Sequence, residues 1–487
     1  MKSLGLPVSL KDKSLIEAVL KIAKKRKTKL YFVGGYLRDI ILGRQKDNLD
    51  IDFCLKRGAI NFGKDVAREL KAGFVVLDKA HCCSRVVKKI DDKFFTLDFT
   101  DFRGKDIKDD LLHRDFTINA MTMELEKFFA AGNVENLIID PYKGRQDLKL
   151  KIIRLVNKRA FDEDPLRILR AFSLAIILGF KIDKEALRLA KLKANKLSGV
   201  SYERLRDELF KILEEPNSFS YLEQLDKLKI LKIIIPEIEV MRGVKQGPYH
   251  HLDVWQHTLE TIRQLELLIT ELKNNHEVQD YLDEIISPNR SRRALIKLGA
   301  LLHDIGKPAA KRHEDGKTKF HGHERIGSDI TKNIAERLKL SNDEMNSLEK
   351  IVLWHLRPGY LADNEEVTPR AIFRYFRDAQ KEAVSVLLTS LADQRATKGP
   401  LTTRQSRVRH EKVACGLIKE YFRRKKEKKL PRLISGDDLL KKFKLAPSPL
   451  IGKILREIEE LQAIGKIKTK KEALEAAAKF IKNQHRG

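Results

Sequence analysis

The sequence predicts an α+β fold in which a small mixed-sheet domain precedes a long, all-α remainder. Short β-rich runs alternate with helical patterns between residues 29 and 100, and after about residue 160 helical periodicity takes over. A chain of 487 residues is long enough for several domains. We expect them to divide the chain into residues 1–150, 151–245, 246–400 and 401–487.

Composition favours a polyanionic partner and a reducing compartment. The net charge is +28, and nucleic acid is the commonest partner of so basic a protein, although a basic surface also serves solubility. The four cysteines follow no metal-binding pattern, and Cys82 and Cys83 are adjacent, which disfavours a disulfide. Because no apolar run reaches about 18 residues, we expect a cytoplasmic protein without a membrane span.

The elements of the first domain follow from local patterns in chain order. Residues 1–28 predict an amphipathic helix that ends in a basic run. A strand at Leu30–Val33 is broken by Gly34 and Gly35, a helix covers Tyr36–Leu42, and a strand covers Leu49–Leu55. The elements predicted after it are a helix at Ala59–Leu70 and strands at Phe74–Leu77, Ser84–Ile90 and Lys93–Phe99.

The strand at Leu49–Leu55 carries two carboxylates that predict a metal-dependent nucleotide site. Asp50 and Asp52 are two residues apart on a strand, so they share a face at a spacing of roughly 6.5–7 Å. Carboxylates this close repel each other unless a cation lies between them. The turn at Gly34 and Gly35 offers backbone N–H groups to phosphate. The alternatives are solvated carboxylates and an ordinary turn.

The order Gly-Gly, Arg-Asp and Asp-x-Asp resembles the motif of the nucleotidyltransferase superfamily, in particular the head domain of class II tRNA nucleotidyltransferases and bacterial poly(A) polymerases. The matching residues are Gly34, Gly35, Arg38, Asp39, Asp50 and Asp52. The resemblance implies a nucleotidyltransferase head followed by a helical neck and tail. It also implies that Mg²⁺ is held by Asp50 and Asp52, and that Arg38 and the glycine turn hold a triphosphate.

Two further stretches extend the expected site. Asp98 lies on a predicted strand whose alternate residues face the Asp50 edge, and it is a candidate third metal carboxylate or an ordinary strand residue. HRDFTINAM at 113–121 resembles the Arg-Arg-Asp motif of the family, with His113 in the first position. The resemblance implies that Arg114 and Asp115 contact the nucleotide.

The segment DEDPLRILRAF at 162–172 is a candidate for reading the base. Locally, Asp164 is a good helix N-cap and Pro165 a good first helical residue, but this leaves Arg167 and Arg170 beside an apolar run unexplained. Glu163, Asp164 and Arg167 match the family motif that reads the incoming base, and we place Arg170 in the same nucleotide site. A carboxylate only accepts hydrogen bonds and a guanidinium only donates them, so the pair fits the amino group and ring nitrogen of cytosine or adenine. Guanine and uracil carry a carbonyl oxygen in place of the amino group and are rejected.

GVSYERLRDELFKIL at 199–213 resembles the next motif of the family, through Glu203, Arg204 and Glu208. Helical ion pairs explain part of the same pattern, and we favour a bracing role. In addition, only DFRGKDIKDDLLH separates Phe99 from Arg114, where CCA-adding members usually carry a longer flexible loop. In the family, a shortened loop goes with enzymes that add C-C and leave the last A to a separate A-adding enzyme.

A second site is predicted after residue 248. His303 and Asp304 lie together on an apolar helix, where burial is costly unless both groups are ligated or paired. Histidine and carboxylate suit a divalent transition metal, Mg²⁺ or Mn²⁺. The order of histidines and aspartates after residue 248 resembles that of an HD phosphohydrolase domain. Two of the histidines resemble those in HD domains that hold two metals. The implied ligands are His257, His303, Asp304, His323, His355 and Asp393, whereas His313 and His321 are expected to be loop residues.

The basic C-terminal part predicts two helix starts, at Ser435–Asp437 and at Pro447–Pro449, and resembles the tRNA-binding tail of the same family. Together these features predict an enzyme that adds C-C or C-C-A to tRNA 3′ ends from CTP and ATP. One alternative is a poly(A) polymerase that uses ATP. Another is an HD phosphohydrolase with an RNA-binding head.

Overall fold

The computed structural model describes residues 10–44, 50–91, 93–130, 135–314, 316–427 and 431–484. Leu49 and the first nine residues, which belong to predicted elements, lie outside these ranges. The chain forms two compact units, residues 1–212 with 224–234 and residues 213–223 with 235–487. The four predicted domains stay predictions. Among the described helices, none is both long and apolar enough to cross a bilayer.

A six-stranded mixed sheet forms the centre of the first unit, as the sequence predicts. Its strands lie in the order β3-β4-β5-β2-β1-β6. The β5–β2 pair is parallel, and the other described pairs of this sheet are antiparallel. The strands are β1 (Leu30–Val33), β2 (Asp50–Leu55), β3 (Gly73–Asp78), β4 (Cys83–Ile90), β5 (Lys93–Asp101) and β6 (Met123–Glu124).

The sheet is covered differently on its two faces. The aromatic rings of Phe53 and Phe99 stack with centroids 5.3 Å apart, and the ring of Phe62 packs on Phe99 at the same distance. Val33, Cys54 and Leu111 form a second buried cluster on the other side of β1 and β2. The helices of this part are α1 (Leu10–Lys25), α2 (Gly35–Ile41), α3 (Ala59–Leu70), α4 (Ile107–Leu112), α5 (Leu125–Ala130) and α6 (Gly144–Leu150).

The helical remainder of the first unit begins with a short parallel strand pair that the sequence did not predict, β7 (Ile152–Ile153) with β8 (Lys181–Ile182). Strands of two residues leave no alternation to recognise, so sequence patterns miss them. The helices that follow along the chain are α7 (Ala160–Glu163), α8 (Arg167–Leu178), α9 (Lys184–Lys193), α10 (Tyr202–Glu214), α11 (Ser218–Lys227) and α12 (Leu231–Ile234), of which residues 213–223 belong to the second unit.

The described part of the second unit is helical apart from two short hairpins, β9 (Ile285–Ser287) with β10 (Arg290–Ser291) and β11 (Arg312–Glu314) with β12 (Lys317–Lys319). Its first helices are α13 (Val254–Glu271), α14 (His276–Leu282), α15 (Arg292–Leu302), α16 (Lys307–Ala310), α17 (His323–Arg337) and α18 (Asn342–Trp354). They are followed by α19 (Arg357–Asp363), α20 (Pro369–Ala379), α21 (Ala383–Ala396) and α22 (Arg404–Lys426).

The C-terminal helices α23 (Gly436–Phe443), α24 (Pro449–Ala463) and α25 (Lys470–Gln484) share an apolar core that includes Leu439 and Ile454. The helix start predicted at Ser435 is present, because its hydroxyl accepts from the Asp438 N–H while the Asp438 carboxylate accepts from the Ser435 N–H. Such reciprocal capping satisfies two N–H groups that the helix leaves free. The second predicted start also agrees, since Pro449 opens α24.

Candidate active sites

The turn between β1 and α2 brings its backbone against the first-site carboxylates. Gly34 has a φ of 75° and a ψ of −145°, a region open essentially to glycine. A Cβ atom at this position would lie 2.5 Å from Oδ2 of Asp52. Val33 and Asp52 are direct partners across β1 and β2. The glycine predicted to cradle phosphate therefore lies beside the predicted metal carboxylate.

The parallel β2–β5 pair places three carboxylates together. Asp52 pairs directly with Asp98, and Asp50 pairs with Thr96, whose hydroxyl donates to the Asp50 carboxylate. Burial, and then the neighbouring Asp50, raise the pKa of Asp52 to about 6, although Arg114 opposes the rise. Crowded carboxylates whose pKa is raised in this way are what a bound cation would relieve. The donor set therefore fits Mg²⁺, which prefers oxygen ligands.

Asp98 is buried beside this pair and is held by Arg85 of β4. The Arg85 guanidinium donates from Nε and Nη2 to the two oxygens of Asp98, both at 2.7 Å. Arg85 and Asp98 are direct partners across β4 and β5. Bidentate pairs of this kind fix the carboxylate plane. Asp98 stays a candidate third carboxylate, with an arginine that orients it.

Arg38 and Asp39 lie at the buried base of the turn. Arg38 donates from Nε to Asp39 at 2.9 Å and from Nη1 to the Asn119 side chain at 2.7 Å. Asn119 in turn donates to the Asp115 carboxylate at 3.0 Å. The Arg38 guanidinium is therefore bonded to Asp39 and Asn119 in this structure, and its predicted contact with a triphosphate stays a prediction.

Arg114 and Asp115 are adjacent but serve different neighbours. Arg114 forms an ion pair with the buried Asp110 at 2.8 Å. Asp115 forms an ion pair with Arg170 at 3.1 Å. Burial raises the pKa of Asp115, but Arg170, Asn119 and Arg167 outweigh it, and the net pKa lies below the ordinary value. The structure thus joins Arg170 to the stretch that resembles the Arg-Arg-Asp motif.

The predicted base-reading residues line a solvent-open pocket of about 580 Å³, a volume within the usual range for small-molecule sites. Oδ1 of Asp164 accepts from the Leu166 N–H at 3.2 Å, and Oδ2 accepts from Arg204 at 2.8 Å. Arg167 donates to the His113 carbonyl at 2.6 Å and forms an ion pair with Glu163 at 3.4 Å. The lining also includes Asp78, His81, Arg103, Lys196 and Ser201.

The helix start predicted at Asp164 and Pro165 is shifted by two residues, because α8 begins at Arg167. Leu166 is the N-cap of α8, and Asp164 accepts from the Leu166 N–H in the turn before this helix. The bracing role predicted for α10 is supported by two contacts, from Arg204 to Asp164 and from the Ser173 hydroxyl to the buried Glu208. We find no contact that assigns a role to Glu203 among the described residues.

In the second unit, α13, α15, α17, α18 and α21 carry the predicted metal ligands to one place. On one side of Asp304, Nε2 of His303 lies 3.2 Å from Oδ2, Nε2 of His257 lies 3.7 Å from the same oxygen, and His257 lies 2.9 Å from Asp393. On the other side, Nε2 of His323 and of His355 lie 3.3 Å and 3.8 Å from Oδ1. Two groups of ligands therefore share the Asp304 carboxylate.

The histidine rings are oriented for ligation by their other nitrogens. Nδ1 of His303, His323 and His355 lies 2.7–2.8 Å from the carbonyl of the residue three before it. This contact places the ring proton on Nδ1 and leaves the Nε2 lone pair for a metal. Burial, and then His303 and His323, lower the pKa of His355 to about 3, so its ring is neutral at pH 7.

Orphaned polar atoms also fit a metal. Among the described residues, His303 Nε2 and both Asp304 oxygens are buried and make no hydrogen bond of acceptable geometry, although Oδ2 of Asp304 forms an ion pair with Lys307 at 2.7 Å. Burial opposes ionisation of Asp304, but His303 and Lys307 hold its pKa well below the usual range. Buried groups of this kind are costly unless they coordinate a metal or are paired. The residues present therefore suit one or two divalent cations.

Sequence reasoning missed Arg85, Asn119 and Lys307. Arg85 becomes visible only from the β4–β5 register, and Lys307, whose Nζ lies 2.7 Å from Asp304, only from the turn after α15. Asn119 had a signal, because it lies inside the HRDFTINAM stretch that was singled out. His313 was expected in a loop but lies exposed on strand β11, whereas His321 lies exposed in a turn, as expected.

Four family models match the chain in order. Residues 30–154 match the poly(A) polymerase head domain, and residues 179–241 match the RNA- and SrmB-binding site of polymerase A. Residues 254–397 match the HD domain, and residues 326–478 match domain 2 of the tRNA nucleotidyltransferases. The matches agree with the order of the stretches singled out in the sequence.

Similar proteins carry one activity class in their names. The A-adding tRNA nucleotidyltransferase of Deinococcus radiodurans is 30% identical over 75% of this chain and 78% of its own length. The CC-adding tRNA nucleotidyltransferase of Thermus thermophilus is 29% identical over 91% of both chains. A Thermotoga maritima CCA-adding enzyme solved with tRNA shares the fold, with a TM-score of 0.61 at 23% identity over 98% of this chain and 97% of that chain.

Proposed function

Because this chain belongs to the tRNA nucleotidyltransferase family, we propose that it adds C-C, or C-C-A, to tRNA 3′ ends from CTP and ATP without a nucleic acid template. One observation carries the proposal. The Asp52 carboxylate lies between Asp50 and Asp98 and directly against a glycine turn that tolerates no Cβ. This arrangement would hold a divalent cation and a triphosphate side by side, as nucleotidyl transfer requires.

The residues of the first unit have distinct roles in this proposal. Asp50 and Asp52 would hold Mg²⁺, and Arg85 keeps Asp98 oriented beside them. When bound, Mg²⁺ supplies charge neutralisation for the attacking 3′-hydroxyl and for the pyrophosphate leaving group. Gly34 leaves the space between the turn and Asp52 open.

Base selection is assigned to Asp164 and Arg167. A carboxylate accepts from the amino group of cytosine or adenine, and a guanidinium donates to the neighbouring ring nitrogen. Guanine and uracil would place a carbonyl oxygen against Asp164 and leave two acceptors opposed. The contact from Arg204 supports this role, because it fixes one oxygen of Asp164 at the pocket wall.

The segment between β5 and Arg114 supports termination at C-C. Asp110 accepts from the Arg103 N–H at 3.0 Å, and Asp109 accepts from the Lys105 N–H at 3.0 Å. Asp106 caps α4. A short segment tied down by these bonds has little freedom to rearrange between a C-selecting and an A-selecting state. A separate A-adding enzyme would then complete the end.

Primer extension on three transcripts of one tRNA tests the proposal. The transcripts end at the discriminator base, after C and after C-C, and each receives CTP, ATP or both. We expect CMP on the first two transcripts and no AMP on the third. Completion to C-C-A would show a full CCA-adding enzyme. ATP-only extension of unrelated RNAs would show a poly(A) polymerase, and no extension of any transcript would reject transfer.

We infer a second activity for the second unit, hydrolysis of a phosphoester at an RNA end, such as a 2′,3′-cyclic phosphate or a phosphomonoester. The observation that favours it is the pair of ligand groups that share Asp304. A divalent metal supplies a nucleophilic water or hydroxide at neutral pH. Lys307, 2.7 Å from Asp304, is placed to contact a phosphate oxygen.

Two single variants separate the proposed activities. Asp52→Ala should lose nucleotide transfer and keep hydrolysis of a phosphodiester probe such as bis-p-nitrophenyl phosphate with Mn²⁺ or Ni²⁺. His303→Ala should do the reverse. Hydrolysis that survives in His303→Ala, or transfer that survives in Asp52→Ala, would contradict the corresponding metal assignment. Nucleotide transfer and phosphodiester hydrolysis by the wild-type chain are the reference for both variants.

A further inference from the structure

One row of side chains crosses four strands and ends at the first-site carboxylates. Val75 of β3 pairs with Arg85 of β4, Arg85 pairs with Asp98 of β5, and Asp98 pairs with Asp52 of β2. Residues that pair directly across strands point to the same face of a sheet. The catalytic face of the sheet therefore continues beyond Asp52 onto β5, β4 and β3.

The opposite face is covered by α3. A Cβ at Gly63 of this helix would lie 2.5 Å from the Ser84 hydroxyl and close to Phe74 and Phe99. The Ser84 hydroxyl itself donates to the Ala59 carbonyl. The core of this half of the sheet therefore lies on the side away from Arg85.

The catalytic face of β3 to β5 exposes large apolar side chains. Val75 is 47% exposed and Phe94 is 55% exposed. Phe94 pairs with the exposed Lys89, and this pair lies on the same face as Arg85. Exposed apolar groups on the same face of a sheet as basic ones favour a binding surface. We call Val75, Phe94 and Lys89 the β3–β5 platform.

We propose that the β3–β5 platform binds the unpaired 3′ end of the RNA substrate, an inference that rests on the proposed nucleotide transfer. Bases of a single strand stack on apolar and aromatic side chains, and basic side chains accompany the phosphates. Val75 lies three strands from Asp52, about 14 Å at roughly 4.8 Å per strand. At roughly 3.4 Å per stacked nucleotide, this distance spans about four nucleotides.

The platform is continuous with the place that the RNA 3′-hydroxyl must reach. That hydroxyl has to lie at Asp50 and Asp52, and the row through Asp98 and Arg85 leads from there to Val75. On the β1 side, the same face is occupied by the cluster of Val33, Cys54 and Leu111. The platform therefore offers the unpaired end an exposed path along the catalytic face.

Binding of two labelled hairpin RNAs tests the platform. One RNA carries a four-nucleotide unpaired 3′ tail, and the other is blunt. In Val75→Asp/Phe94→Asp, we expect affinity for the tailed RNA to fall about tenfold and affinity for the blunt RNA to stay unchanged. The KM for CTP should change less than about twofold. Ile285→Asp, at an exposed apolar position of the second unit, is the matched control.

The other outcomes are decisive as well. Unchanged tailed-RNA affinity, or equal loss for both RNAs, would overturn the platform. A dimer of the wild-type chain that the same substitutions dissociate would identify a second copy as the occupant instead. Wild-type chain that binds the tail through the platform but adds no nucleotide would refute the transfer proposal alone.

A crosslinking experiment needs no variant. The wild-type chain is irradiated with tailed RNA that carries 4-thiouridine at each tail position in turn. We expect a crosslinked peptide between residues 72 and 94 from at least one tail position. If no tail position gives a crosslink between residues 72 and 94, and all crosslinks fall in other segments, the platform is rejected.

Discussion

Gly34 packs directly against the Asp52 carboxylate across β1 and β2. In any other residue, the Cβ atom would lie 2.5 Å from Oδ2 of Asp52, which is too close. The constraint is double, since the φ of 75° and ψ of −145° also disfavour a side chain. Space and backbone conformation therefore both restrict this position to glycine.

Gly34→Ala should lower kcat for CMP transfer about 100-fold, because a displacement of about 1 Å at reacting groups has that effect. Gly43→Ala is the matched control, since Gly43 also has a positive φ of 66° but a Cβ there meets no atom within 4 Å. It should cost about 1–2 kcal/mol in stability and leave kcat near the wild-type value. Equal loss of kcat in both variants would show that backbone strain alone matters.

The elements around this site were largely predictable. Leu30–Val33 and Ala59–Leu70 were predicted with the bounds of β1 and α3. The α+β class and the family are confirmed by the sheet and by the relatives. These predictions succeed because alternation, glycine breaks and helical periodicity are local properties of the sequence.

The contacts between elements were not predictable in the same way. Arg85 meets Asp98 only because β4 and β5 pair in one particular register, and a shift of one residue would turn Arg85 to the other face. Asp164 reaches Arg204 across 40 residues of chain. Local patterns carry no information on such pairings. The sequence predicted the ligand types and a bracing role for Arg204, but not that Arg204 contacts Asp164 or that Arg85 contacts Asp98.

We expect Arg204 to affect base selection through its contact with Asp164. In Arg204→Ala, Asp164 loses its 2.8 Å partner, and we expect the preference for CTP over UTP in kcat/KM to fall about tenfold, or roughly 1.4 kcal/mol. Arg204→Lys should recover part of the preference. Arg188→Ala is the control, because within the described chain the Arg188 side chain pairs only with the exposed Glu185. A lower rate with unchanged preference would assign Arg204 a purely structural role.

The two ligand groups at Asp304 predict that the chain binds two metal ions here and that one substitution removes one of them. The wild-type second unit should retain about two Mn²⁺ or Co²⁺ ions per chain after dialysis, and His355→Ala about one, because His355 belongs to the Oδ1 group alone. Metal analysis of an Asp52→Ala background excludes ions in the first site. Removal by chelator should lower Tm, since ligand charges are left buried.

His313→Ala provides the control for metal content, because His313 is exposed on the β11 strand. It should retain the wild-type ion count. An unchanged count in His355→Ala would place both ions on the other ligands. A count of one in the wild-type chain would leave a single ion at this site.

Acid should destabilise the second unit through Glu344. Its buried carboxylate accepts from Arg290 at 2.6 Å and from the Ser341 N–H at 2.8 Å. Burial raises the pKa of Glu344, but these bonds outweigh it, and the folded-state pKa lies below the ordinary 4.5. A carboxyl whose pKa is lowered on folding contributes stability above its unfolded pKa. That stability is lost as the pH falls from 4.5 through the folded value.

Glu344→Gln removes the charge and with it this pH dependence. At pH 7 we expect the variant to lose about 1–3 kcal/mol in the free energy of unfolding, because Arg290 loses its charged partner. Below the folded-state pKa of Glu344 the difference should shrink, since the wild-type carboxyl is then protonated as well. Glu336→Gln, at an exposed position of α17, is the control. Urea unfolding at pH 7, 5 and 3.5 measures the difference, and a constant gap at all three would exclude Glu344 as a source of acid sensitivity.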